Sequence, residues 1–347
     1  MLKDETAEDL LDLSKAEGNI LVSSDVMDSI SFQPKDFSVL PDKHKYTQLI
    51  DSIAQLNNVP SDCVVLGNGS DELIDQIAYS RAGSTSLTLV PSFERLFEVN
   101  LKYKYKTHKF PLPFAEDYLY SEDFHIDFIE ELYRIHPDLL WLCSPNNPTG
   151  TIIDPTYIKD ISNKFPKTWI VVDMAFMNIA DEKMTQKYNS LIKTSNNILL
   201  LNSFSKSWGI GLLRVGYLIS DAKISHSISK RNVMYNVNGV ALETAINCLK
   251  KPDYRISEYL TINRHLDEIK KCIELLPQFE IISNSKINLF CIRHKSMRNL
   301  YQILIERGIK TKLLDKMPGM EDMGYCRVMI PRNGFDLDKL ISALKEI

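Results

Sequence analysis

The chain has 347 residues, 44% of them hydrophobic and 25% charged, a globular composition that excludes a disordered, collagen-like or disulfide-scaffold protein. Forty-one Lys and Arg face 45 Asp and Glu, and the formal charge of −4 gives no electrostatic case for nucleic acid or an anionic membrane as partner. No apolar run approaches the ~18–20 residues of a spanning helix. The acidic start, MLKDETAEDLLDL, lacks the basic region and apolar stretch of a signal peptide. Six scattered cysteines without a CxxC pair, and seven histidines without a ligand pattern, predict core thiols in a reducing compartment and no metal site. A cytoplasmic enzyme is the reading, at a length that favours two domains.

In chain order, short apolar runs at 63–66, 86–90, 105–110, 139–143, 169–173, 198–202 and 214–219 predict strands. Several are apolar on both faces, the pattern of a strand covered by helices on each side. Helical periods at 71–80, 124–134 and 155–165 alternate with them, the last opened by Asp154 as cap and Pro155 at the first helical position. The alternation predicts an α/β domain with a seven-stranded, mainly parallel sheet, whose ligands collect beyond the carboxyl ends of the strands. Past about residue 235 the texture changes. Helices at 240–249 and 254–275 precede strands at 280–282, 288–292 and 325–330, a helix at 297–306 and a closing helix from Asp336. This predicts a smaller α+β domain. The expected division is 41–235 as the large domain and 236–347 as the small one, with 1–40, which lack strand alternation, joining the latter.

Four segments sit where strands end. Gly67-Asn68-Gly69-Ser70-Asp71 joins a strand to a helix, where glycines allow a tight turn and the helix start offers free N–H groups to an anion. Ser144-Pro145-Asn146-Asn147-Pro148-Thr149-Gly150 holds amide side chains between two prolines. Asp173 closes the apolar run Trp169-Ile170-Val171-Val172 and needs a cationic or donor partner if buried. Ser203-Phe204-Ser205-Lys206-Ser207-Trp208-Gly209, with Arg214 following, gathers hydroxyls and cations suited to an anion and a carbonyl. Each segment alone reads equally well as a turn, a cap or a surface lysine; their combination and order do not.

Together they resemble the pyridoxal-phosphate enzymes of aminotransferase fold type I, class I/II, in the branch of histidinol-phosphate aminotransferase and threonine-phosphate decarboxylase. The resemblance covers roughly residues 40–347. It implies a pyridoxal 5′-phosphate cofactor joined to Lys206 as a Schiff base, with Asp173 keeping the pyridine nitrogen protonated. Asn147 matches the residue that hydrogen-bonds the phenolic oxygen, and Phe93 the ring that stacks on the pyridine. Gly69, Ser70 and Asp71 match the phosphate-binding helix start, and Ser203, Ser205 and Arg214 the remaining phosphate ligands. Arg327 matches the arginine that grips the substrate carboxylate. Tyr46 is a match for the tyrosine that reaches the neighbouring subunit's cofactor, the stretch Leu40-Pro41-Asp42 fitting the same motif; either implies a homodimer with a shared active site. Phe176 stands where most such aminotransferases have tyrosine, a feature shared with the decarboxylases.

The implied function is transfer of an amino group between a small, phosphorylated amine or amino acid and a keto acid, with freed Lys206 moving the proton from substrate Cα. Decarboxylation of an O-phospho-amino acid is the alternative on the same scaffold. It follows if Arg327 and Arg332 together take a side-chain phosphate and leave the carboxylate perpendicular to the cofactor ring. A binding module without activity is the third reading, and intact Lys206 and Asp173 count against it.

Overall fold

The computed structural model describes residues 10–18, 20–177, 182–282, 284–296 and 299–347. The first nine residues of the expected leaderless start, and the first two of the helix expected from 297, lie outside that set. Strands in chain order are β1 (Leu11–Asp12), β2 (Val64–Asn68), β3 (Thr85–Val90), β4 (Lys106–Pro111), β5 (Leu139–Cys143), β6 (Trp169–Asp173), β7 (Ile198–Ser203), β8 (Val215–Ser220), β9 (Phe279–Ile281), β10 (Leu289–His294), β11 (Ile309–Lys310), β12 (Lys312–Leu313) and β13 (Cys326–Met329). The seven expected strands form one sheet in the order β2-β8-β7-β6-β5-β3-β4. Only β8 runs against its neighbours, and the other pairs are parallel.

The central strands are buried along their whole length, β5 and β7 at every residue. Their apolar runs are thus covered from both sides, and separate apolar clusters fill the two faces. The helix Pro155–Lys164 starts as its sequence dictates: Asp154 accepts from the Thr156 amide, and Pro155 occupies a position whose N–H has no helical partner. Because β2, β5, β6 and β7 run the same way, Asn68, Cys143, Asp173 and Ser203 all end on one rim.

A second sheet, β12-β13-β10-β9, is antiparallel, and β1 pairs in parallel with β11. Its core takes in Leu13, Ala16 and Ile20 from the N-terminal segment. The same segment then changes sides, because Val26 packs in the large sheet's cluster. The helix Gly239–Lys250 likewise buries Ala241, Leu242, Ala245 and Ile246 against the large sheet, so packing carries the large unit past the expected boundary at 235. β1, β11 and β12 have two residues each, too few to show an alternating period in sequence.

Candidate active site

A cavity of about 990 Å³ opens at the shared rim, closed on its far side by 14–18 and by β12 and β13. Its floor is the β2-to-helix turn. Gly69 adopts φ +74° and leaves the space in which the Arg214 guanidinium lies, since a Cβ there would meet Nη2. Gly216, opposite Gly67 on β8, lets the strand pass directly beneath the Ser70 amide. Arg214 donates to Asp71 Oδ2 (3.0 Å), Ser205 Oγ (3.1 Å) and the Gly211 carbonyl (3.2 Å). Asp71 therefore aims a cation rather than facing an anion itself. Ser203 caps the next short helix, its Oγ accepting from the Ser205 amide. A helix start, two hydroxyls and an arginine make this corner a cradle for a phosphate.

Asp173 is 3% exposed at the end of β6, and its Oδ1 accepts from the Ala175 amide at 2.9 Å. Burial pushes its carboxyl up to about 6; the Ala175 hydrogen bond and Lys206 pull against burial, and Asp71 adds to it. A buried carboxylate held so high gains much from a cation brought to it. Asn147 accepts from Arg327 Nη1 through Oδ1 at 2.9 Å, which leaves its Nδ2 as a donor. Neighbouring Asn146 is structural, donating to the Pro91 carbonyl and to Thr149. Arg327, 6% exposed, also donates to the Ser14 carbonyl at 2.7 Å. Its Nε is buried with no partner, it makes no ion pair among the described residues, and burial pulls its guanidinium below the usual arginine range. Such a group calls for an anion.

Lys206 points into the cavity, its Nζ 2.6 Å from Glu17 Oε2 and 5.7 Å from the centroid of the Phe176 ring. Ser70, Asp71, Phe93, Asn147, Asp173, Phe176, Ser203, Ser205, Lys206, Arg214 and Arg327 all line this one space, and Gly69 borders it. Arg332 lies outside the cavity, paired with Glu258 at 3.1 and 3.2 Å. Tyr46, expected at a neighbouring subunit's cofactor, does not line this chain's own cavity. Tyr46 uses its hydroxyl on Val237, donating to the carbonyl at 2.5 Å and accepting from the amide at 2.8 Å. Sequence reasoning missed Lys15, Glu17 and Lys312, which also line the cavity. Lys15 and Glu17 belong to a stretch without strand alternation or a site motif. Lys312 sits on a two-residue strand opposite Arg327 and pairs with Glu94 at 2.6 Å.

The cradle, the high-lying Asp173 and the unpaired Arg327 Nε fit a phosphorylated, cationic, carbonyl-bearing group and an anionic substrate. The profile of the family "Aminotransferase class I and II" matches residues 8–312. The chain belongs to that family. It is thus a pyridoxal-phosphate-dependent aminotransferase-family enzyme, and its sheet carries the fold type I arrangement. This aminotransferase is 29% identical over 314 residues to the histidinol-phosphate aminotransferase of Sulfurimonas denitrificans, which spans 87% of this chain and 82% of that one. The crystal structure of histidinol-phosphate aminotransferase from Clostridium acetobutylicum superposes with a TM-score of 0.85 at 22% identity, over 97% of this chain and 98% of that one. L-threonine-O-3-phosphate decarboxylase from Porphyromonas gingivalis gives 0.81 at 22% identity, over 97% and 99%. At these identities the two structures speak for the fold.

Proposed function

We propose that this enzyme transfers the amino group of a small phosphorylated amine or amino acid to a keto acid. The observation that carries the proposal is the cavity wall where Arg327 and Lys312 stand opposite each other on paired strands, Lys15 being a further cation of the lining. Arg327, with no ion pair among the described residues, and Lys312, shared with Glu94, suit an anionic substrate. Pyridoxal phosphate, when bound, supplies the electron sink, and the chain supplies everything else. The Gly69–Asp71 helix start, Ser203, Ser205 and Arg214 hold the phosphate. Asp173 would meet the ring nitrogen, Asn147 Nδ2 would donate to the phenolic oxygen and Phe93 would cover a ring face, while Phe176 flanks the Lys206 amine. Lys206 would hold the cofactor covalently, and its freed amine would be the group placed to take and return the proton at substrate Cα.

Transamination is favoured over decarboxylation by the placement of Arg332. The decarboxylase geometry calls for Arg327 and Arg332 to take a phosphate together, whereas Arg332 is engaged by Glu258 outside the cavity. Arg327 would then remain to grip the substrate carboxylate. A screen of amino donors, phosphorylated amines included, with a keto acid as acceptor tests the reading. The expected result is a new amino acid formed from the acceptor without carbon dioxide release; carbon dioxide release without acceptor consumption overturns it.

The reading includes a cytoplasmic homodimer. Six unpaired, buried cysteines suit a reducing compartment. Phe37, Val39 and Leu40 are 68–71% exposed, and Val233 and Met234 68% and 77%. The two segments adjoin: Pro41 lies against Gly239, and Tyr46 touches Tyr235 and Val237. Leu212, 92% exposed, stands on the cavity edge, where a second copy would complete the wall. Light scattering should therefore give twice the chain mass, and a monomer fully active at that concentration rejects the shared site.

A further inference from the structure

Glu17 has no part in the functional reading above, yet it makes the only ion pair to Lys206 among the described residues, at 2.6 Å. Its position is built rather than incidental. The Leu13 amide donates to the Lys310 carbonyl and its carbonyl accepts from the Met329 amide, Arg327 donates to Ser14, and Asn288 donates to the Ala16 carbonyl at 3.5 Å. On the far side Gly209 leaves room for the Ile20 carbonyl, which a Cβ would meet at 2.6 Å. The segment is anchored on both sides of Glu17, so the carboxylate is aimed across the cavity at the lysine of the opposite unit. Burial pushes the Glu17 carboxyl up, but Lys206, with its charge and its hydrogen bond, and Arg327 outweigh that and hold it below the usual carboxylate range.

We propose that Glu17 is a positioning residue that holds the Lys206 amine whenever that amine is not bonded to the cofactor. The inference rests on the reading of Lys206 as the cofactor-binding lysine. When Lys206 joins the cofactor, its nitrogen sheds protons and forms a C=N bond to the aldehyde carbon, and the carbonyl oxygen leaves as water. The ion pair with Glu17 must break for this to happen. When a substrate ammonium exchanges at the same carbon, two of its protons pass to the Lys206 nitrogen, which departs as the ammonium and regains Glu17; that ammonium must give up a proton and leave the pair before it can take the proton at Cα. No oxidant or reductant is involved in either exchange. Glu17 therefore favours the freed lysine over the bonded one, which weakens cofactor capture by the chain and assists its displacement by substrate.

These two consequences have opposite signs, and a purely structural role cannot produce that. The test takes the full-length chain stripped of cofactor, as wild type, Glu17→Gln and Glu17→Asp. Capture of pyridoxal phosphate is titrated by the visible absorbance of the bonded form, and KM and kcat for the amine are measured on the loaded enzyme. Loss of one partly exposed, charge-assisted pair corresponds to about three- to tenfold. Glu17→Gln is expected to tighten pyridoxal phosphate capture by that factor and raise the amine KM by a similar one, with kcat changing less. Glu17→Asp, which keeps the charge, should lie between the two. Weaker capture together with a raised KM would mark a strap defect and overturn the proposal, as would no change in either. Borohydride reduction and peptide mapping of the wild type separate this from the parent reading: if Lys206 is not the tagged residue, that reading fails first.

Discussion

Lys206→Ala should retain less than about a thousandth of the wild-type turnover, because the change removes the covalent anchor and the proton carrier together. The cavity makes this a test of position rather than of charge, since Lys15 and Lys312 also line it. Lys312 is held by Glu94, and its strand belongs to the smaller sheet. Lys206 instead follows directly on β7, whose Leu201 is paired with Asp173 on β6. Pyridoxal phosphate should still bind the variant, because Ser203, Ser205 and Arg214 sit on other residues of the cradle, but without the visible band of the bonded form. Lys206→Arg, which keeps the cation, should be equally inactive. Turnover above a thousandth of wild type in either variant, measured by single-turnover absorbance and by product formation, rejects the assignment.

What was legible in the sequence follows from where contacts are local. The cradle could be read because a strand, a glycine turn and a helix start are contiguous at Gly67–Asp71, and because Lys206 and Arg214 are only eight positions apart. Asp173 was conspicuous as the one carboxylate closing an otherwise apolar strand. Of the two amides in the proline loop, Asn147 was read for the site, and the structure has it facing Arg327 while Asn146 ties the loop to Pro91. Arg332 looked like a companion of Arg327 because it is five residues away. Yet it follows the end of β13 and the Pro331 turn, and its side chain leaves for Glu258. Glu17 and Lys312 were illegible for the converse reason. Both reach the cavity through pairings with distant strands, Lys310 with the N-terminal segment and Arg327 with Lys312, and no spacing in the chain encodes those. The helix Gly239–Lys250 carries the same lesson for domains, since its apolar face declares that it is buried but not against which sheet.

Asp173→Asn should cut turnover by about 10²–10³-fold, and it should change stability in opposite directions with and without cofactor. In the cofactor-free chain burial holds the carboxyl at about 6, against an ordinary value of 3.8. The folded state therefore binds this proton more tightly than the unfolded one. The stabilisation this provides is present below about pH 4 and is lost as pH rises to about 6, above which the fold bears a buried charge. Asparagine has no such charge, and its Oδ1 can still accept from the Ala175 amide. At pH 7.5 the cofactor-free variant should be more stable than wild type by on the order of 2–3 kcal/mol, the advantage shrinking as pH falls toward 5. With pyridoxal phosphate bound, the order should reverse. The wild-type carboxylate then meets a pyridinium cation that repays its desolvation, whereas an amide leaves the ring nitrogen unprotonated and the electron sink weak. Thermal unfolding of both proteins at several pH values, with and without cofactor, reads the two signs directly. If the melting temperatures move in parallel in all four conditions, Asp173 is a structural residue at a strand end and does not face the ring.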